Sequence, residues 1–226
     1  MKPFLSAVWA VAWKDLALER RSRGLVAIML LFAITSLVLY NFALFADLAA
    51  ARELAAGLAW VTLLLAATLG LNRSLAAELE NRALDGLLAA PVARSAIYLG
   101  KVLAMTVSSL LVEAVLIPLL VIFFSRPFWR PQIWLLLALG TLGYLAAGVL
   151  IASMAVQTRG RDVLLPVLLL PLSLPAVLAA AQATAMFLAP QLPAWETVRG
   201  SLALLVGYDI LMLTVGLLTF AYVVEE

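Results

Sequence analysis

The chain contains no cysteine and no histidine. Disulfides, thiolate chemistry, imidazole metal ligation and histidine acid–base catalysis are therefore excluded at the outset. Charge is scarce too: Asp, Glu, Lys and Arg make up 12% of the 226 residues, about half the share of an ordinary soluble domain. The sequence has no Gly-x-x-x-x-Gly-Lys-Ser/Thr phosphate loop and no polar stretch long enough to house one, so the chain is not expected to hydrolyse nucleotide in the P-loop manner. No inverted repeat relates its halves, which speaks against a secondary transporter. What is abundant is apolar: 65% of residues are hydrophobic and the mean hydropathy is +1.11. Only lipid solvates such a surface. The formal charge of +2 and pI near 9.2 then reflect basic loops held on one side of a membrane, and nucleic acid is not expected as a partner.

Six apolar stretches, at about 25–45, 54–71, 99–124, 133–156, 163–188 and 202–224, are each long enough to cross a bilayer. The joints between them hold most of the charge and many turn formers, so the spans should be mostly antiparallel neighbours within one permease domain over 1–226. Residues 1–23 carry Phe4, Leu5, Val8, Trp9, Ala12 and Leu16 at near-helical spacing, with Lys14, Asp15, Glu19, Arg20 and Arg21 towards the other face or end. This predicts an amphipathic helix on the membrane surface, retained and not cleaved as a signal peptide. The predicted fold is thus an all-α integral membrane protein. Eleven Lys and Arg fall on the side of the N-terminus and four on the other, Arg52, Arg126, Arg130 and Arg199. The positive-inside rule then puts both termini in the cytoplasm.

The one long cytoplasmic joint, 72–98, is the first candidate functional segment. Leu75, Leu79, Ala83 and Leu87 alternate with Glu78, Arg82 and Asp85 as on an amphipathic helix that Pro91 ends. A short apolar stripe with charged flanks either stabilises a loop or docks into a partner's groove as a coupling helix. The candidate contact set is Leu75, Glu78, Leu79, Glu80, Asp85, Leu87, Leu88 and Pro91.

Within the spans the ionisable residues are Lys101, Glu113 and Asp209. A charge at a helix centre costs about 2.5–3.5 kcal/mol on translocon scales, so such groups face a bundle interior, a cavity or a partner. Lys101 is expected to snorkel. Glu113 reads as a hydrogen-bonded packing residue or as part of a substrate path or subunit contact, and Asp209 as solvated near the external end. Pro171 and Pro175, with Pro166, should kink the fifth span under the cover of neighbouring helices. Gly140 and Gly143 in the fourth allow a close helix contact, with a gating hinge as the alternative.

Taken together, the surface helix, the six spans and the acidic-amphipathic joint resemble the permease subunits of type-2 ABC exporters. Within that class the stretches Gly57-Leu58-Ala59-Trp60, Asn72-Arg73 through Glu78-Leu79-Glu80, Leu84 through Pro91, Gly100-Lys101, Leu139-Gly140-Thr141-Leu142-Gly143 and Leu170-Pro171-Leu172-Ser173-Leu174-Pro175 resemble the cytochrome c maturation protein B (CcmB) family of haem exporter B subunits. The resemblance runs collinearly over nearly the whole chain and departs at Asn81-Arg82, where the family usually has an acidic-Gly pair. It implies a multi-pass permease of the bacterial inner membrane working as two copies with two cytoplasmic ABC ATPase subunits. It also implies a haem-handling membrane subunit in cytochrome c biogenesis. ATP would sit on one partner and haem on another, with no cofactor, metal or catalytic group held by this chain. A type-2 ABC permease for a glycan, lipid or drug has the same layout and stays open. A membrane-embedded enzyme would need clustered ionisable groups in the bilayer, and the sequence offers two isolated carboxylates.

Overall fold

The computed structural model describes residues 2–80, 92–155 and 161–223, with side chains except at 2, 78–80, 155, 161–163 and 223. Seven helices run through the described residues: α1 (Lys2–Ser22), α2 (Gly24–Ala43), α3 (Leu48–Glu80), α4 (Arg94–Phe124), α5 (Pro131–Ala155), α6 (Arg161–Leu188) and α7 (Trp195–Val223). Six of them, α2 to α7, are long and apolar enough to cross a membrane. The fold is all-α, as the hydropathy pattern predicts.

The ends of the helices are set by local chemistry. Asp47 caps α3, its carboxylate accepting the backbone N–H groups of Ala49 at 3.1 Å and Ala50 at 2.9 Å. Ser125 stops α4 in the left-handed conformation with φ 51°, and Pro131 opens α5 at the first helical position, where its missing N–H costs nothing. Two expected boundaries move. The second span does not break at Leu71, because Asn72 to Glu80 is rich in Ala, Leu and Glu and continues α3 to 33 residues. At 1.5 Å per residue that is about 50 Å, well beyond the roughly 30 Å hydrocarbon core. The third span starts five residues early, at Arg94. What remains between α3 and α4 is a shorter joint than 72–98, and its residues 81–91 lie outside the described set.

Helix α5 is the axis of the bundle, packing against α3, α4, α6 and α7. It is the most deeply buried of the six candidate spans. Helix α1 lies against α4, where Gly100 makes room for it: a Cβ there would sit 2.6 Å from Val11 Cβ and 2.9 Å from the Val8 carbonyl oxygen. Val11 and Ala12 are buried in this contact, whereas Leu5, Trp9 and Trp13 form an exposed edge on which the two indoles stack at 6.4 Å. The helix therefore presents two apolar faces, one to the bundle and one suited to the bilayer interface, where Trp is favoured.

At the opposite end of the molecule two cations have a structural role. Arg130 donates to the last carbonyls of α6, those of Phe187 and, at 2.8 Å, Ala189, and Arg126 reaches Leu188 at 3.4 Å. Both satisfy carbonyls that a helix C-terminus leaves orphaned. The expected orientation rests on the eleven-to-four distribution of Lys and Arg in the sequence. Reporter fusions after Glu226 and near Pro193 are expected to report opposite sides, cytoplasmic and external in that order. An external C-terminus would exclude the arrangement.

Candidate functional site

Of the predicted coupling residues, Leu75 is the one whose side chain is described, and it is buried at 9% exposure within the core of the bundle. It faces inward, not towards a docking partner. The backbone of Glu78, Leu79 and Glu80 continues α3. Asp85, Leu87, Leu88 and Pro91 lie outside the described residues.

Of the intramembrane candidates, Glu113, Gly140, Gly143 and Asp209 lie on or against α5. Glu113, 1% exposed on α4, accepts a hydrogen bond from the Thr141 hydroxyl at 2.5 Å, and Ser109, one turn earlier on the same helix, bonds to the same side chain. Its Oε2 has no partner. Asp209 departs from expectation. Because α7 begins at Trp195 and not near 202, Asp209 falls at the middle of its helix, 5% exposed, with neither carboxyl oxygen hydrogen-bonded. It is not solvated at the external end. Gly143 admits it: a Cβ there would overlap the Asp209 carboxyl and the Tyr208 ring. Thr141 and Gly143 are two residues apart, about 200° around a helix of 3.6 residues per turn. The two carboxyls thus approach α5 from different sides, which excludes a paired acid–base dyad.

Gly140 also serves side-chain packing and not a backbone-to-backbone contact. The six-membered ring of Trp60 fills the space its Cβ would take. Trp60 Nε1 donates to Thr184 Oγ1 at 2.9 Å, so one indole bridges α3, α5 and α6. Two further polar ties were not singled out from sequence. Thr68 and Tyr144 share a hydrogen bond at 2.5 Å, and the Tyr98 hydroxyl donates to the Ala146 carbonyl at 3.0 Å. Partners 76, 48 and 124 residues apart leave no local signal. Buried polar groups in a membrane bundle join helices in this way.

Lys101 does not snorkel. It is 5% exposed and lines a cavity with α1 and α3 residues. The proline expectation changes as well: Pro171 and Pro175 are exposed on the chain's surface, and α6 stays one continuous helix through all three prolines. Inside that stretch Ser173 donates back to the Leu169 carbonyl at 2.8 Å and Tyr208 reaches the Leu172 carbonyl at 3.4 Å. The carbonyls that Pro171 and Pro175 leave without a ladder partner are those of Val167 and Pro171, so these two hydroxyls add contacts to the proline stretch and do not replace its missing bonds.

The described residues contain no cluster of metal-ligating side chains. The polar groups hold helices together, and six helices long and apolar enough to cross a membrane, with α1 packed against them, are the layout of a multi-pass membrane subunit of the permease kind. The chain belongs to the CcmB protein family, whose model matches residues 6–225. It is similar to Heme exporter protein B of Rhodobacter capsulatus, with 30% identity over 175 residues, covering 76% of this chain and 80% of the relative. It is likewise similar to Heme exporter protein B of Bradyrhizobium diazoefficiens, with 29% identity over 175 residues, 77% and 79% of the two chains.

Proposed function

We propose that this chain is the non-catalytic permease subunit of an ABC export complex in the bacterial inner membrane, acting in cytochrome c biogenesis. In this reading two copies assemble with a cytoplasmic ATPase and a haem-handling membrane subunit. ATP hydrolysis on the partner is coupled through the end of α3 and the following joint to haem export or to haem release from its chaperone. The observation that carries it is the family match over almost the full length, together with relatives that bear the name Heme exporter protein B. The helical extension of α3 past the hydrocarbon core supplies a rigid element for transmitting motion.

Haem iron belongs on a partner in this account. Axial ligands are chiefly His, Cys thiolate, Met or Tyr. His and Cys are absent, the hydroxyls of Tyr98, Tyr144 and Tyr208 are committed to Ala146, Thr68 and Leu172, and Met29, Met105 and Met212 are buried, which leaves Met154 and Tyr222 as the exposed candidates that a spectrum must exclude. The purified chain mixed with haem should show only the broad absorption of detergent-partitioned haem, and the intact complex a sharp ligand-shifted band. A stoichiometric ligated spectrum from the isolated chain, lost on replacing one Met or Tyr, would make the permease itself the haem carrier.

A further inference from the structure

A cavity of about 230 Å³ lies where the start of α3, the turn after α4 and the end of α6 meet. Arg52, Glu53 and Ala56 come from α3, Arg126 from the turn, and Ala185 and Leu188 from α6. Residues 44–57, 124–133 and 182–195, which form this rim, are all described with their side chains. The charge lining the cavity is therefore fully accounted for: two guanidinium groups and one carboxylate.

None of the three is neutralised within the fold. Arg52 and Glu53 are exposed and make no hydrogen bond or ion pair among the described residues. As successive residues of a helix they point about 100° apart, so they do not pair with each other. Arg126 gives Nη1 to the Leu188 carbonyl at 3.4 Å, and its Nε is buried without an acceptor. One turn deeper on α6 stands a further group without a partner. Gln182 precedes Ala185 by three residues and Ala189 by seven, the spacing of a single helix stripe. It is exposed and makes no hydrogen bond among the described residues. It lies in a helix long and apolar enough to cross a membrane, where an amide without a partner is costly.

A zwitterionic phospholipid headgroup meets these demands together. Guanidinium groups match phosphate oxygens, and a carboxylate matches a primary ammonium. The glycerol ester carbonyls of a phospholipid sit just below its phosphate, and the Gln182 amide is about 4.5 Å further along the helix than Ala185. The cavity is smaller than the roughly 300–1,000 Å³ of sites that enclose a whole small molecule. It therefore takes a headgroup whose chains stay in the bilayer, and not a porphyrin. We propose that it binds the headgroup of phosphatidylethanolamine, with the phosphate at Arg52 and Arg126, the ammonium at Glu53 and an ester carbonyl accepting from the Gln182 amide. The two signs of charge select this lipid. Phosphatidylglycerol brings no cation to Glu53, and the quaternary ammonium of phosphatidylcholine has no N–H to donate to it. The bound lipid ties the start of α3 to the end of α6.

The test uses the full chain, purified in detergent and delipidated, with retained lipid counted by native mass spectrometry. The added probes are phosphatidylethanolamine, phosphatidylglycerol, phosphatidylcholine and free phosphoethanolamine. One phosphatidylethanolamine per chain should survive, in preference to the other three. Arg52→Gln should weaken its retention about fivefold, the loss expected for one cation at a lipid headgroup. Glu53→Gln should abolish the preference over phosphatidylglycerol, which a site that reads phosphate alone would not do. Ala185→Phe, which fills the cavity without changing charge, should abolish retention. Arg199→Gln, an equal charge loss near the start of α7, should change nothing. The replacements at Arg52 and Glu53 remove no hydrogen bond of the fold, so they report even where Ala185→Phe fails to fold. Equal retention of phosphatidylethanolamine and phosphatidylglycerol by the parent chain would overturn the assignment. So would an unchanged preference in Glu53→Gln, unchanged retention in Arg52→Gln, an equal loss in Arg199→Gln, or retention of free phosphoethanolamine in place of the lipid. The assay contains no ATPase and no haem, so its result is independent of the export account.

Discussion

Replacing Leu79 and Leu87 together by Asp is expected to strip the ATPase partner from the detergent-solubilised complex while the chain still inserts and folds. Helix α3 carries its register unbroken to Glu80, so Leu79 sits near the end of a helix about 50 Å long, longer than the roughly 30 Å hydrocarbon core. Leu87 follows in the joint that the apolar pattern marks as the docking stripe. Apolar anchors at the centre of an interface are each worth on the order of 2 kcal/mol, and a buried carboxylate adds its own desolvation cost. The double replacement should therefore lower ATPase retention by about a hundredfold or more, since each 1.4 kcal/mol is tenfold. Leu75→Asp is the contrasting case. Leu75 is part of the bundle core, so that variant should lose thermal stability and expression instead of selectively losing the partner. Normal ATPase retention and coupled turnover in the Leu79/Leu87 variant, measured by co-purification and hydrolysis rate, would remove the coupling role from this segment.

The largest expected effect on stability is that of Trp60→Ala. The indole is 2% exposed, packs into the space left by Gly140 and donates to Thr184 at 2.9 Å. Deleting a buried aromatic costs about 3–5 kcal/mol through lost contacts and the cavity left behind. For a chain of this size that corresponds to a drop of roughly 10 °C in unfolding midpoint. Trp60→Phe keeps most of the volume and gives up the hydrogen bond, so its loss should be near 1 kcal/mol. Thermal unfolding of the two variants in detergent separates packing from the polar tie. If Trp60→Ala unfolds within about 2 °C of the parent, the three-helix bridge is not a keystone of the fold.

Much of this architecture is legible in the sequence, because membrane crossing is a matter of length and polarity. The six spans follow from apolar runs of the required length, and the amphipathic α1 from its spacing. Their ends are less legible. Hydropathy falls after Leu71, yet Ala, Leu and Glu keep the backbone helical to Glu80. The Trp195 start of α7 likewise lies outside the most apolar window and shifts Asp209 to mid-helix. The direction in which a side chain points is not written in hydropathy at all. Lys101 could have reached an interface, but the packing of α1 across α4 encloses it. The exposed prolines of α6 show the same limit: composition announces a thinned helix ladder but not which face it takes. The pairing of Trp60 with Thr184 and of Glu113 with Thr141 depends on which helices the fold brings beside α5, and that is decided by the whole set of contacts.

The central claim is that this chain is the membrane half of an ATP-driven machine whose catalytic and haem-binding parts are other polypeptides. It is tested most directly by isolating the tagged chain from its native membrane in mild detergent and identifying what accompanies it in stoichiometric amount. The account predicts a P-loop ATPase and a membrane subunit with a ligated-haem spectrum, both lost together with ATP-dependent activity when the chain is removed. Recovery of the chain alone, or with an ATPase that serves a glycan, lipid or drug substrate and no haem-binding partner, would contradict it.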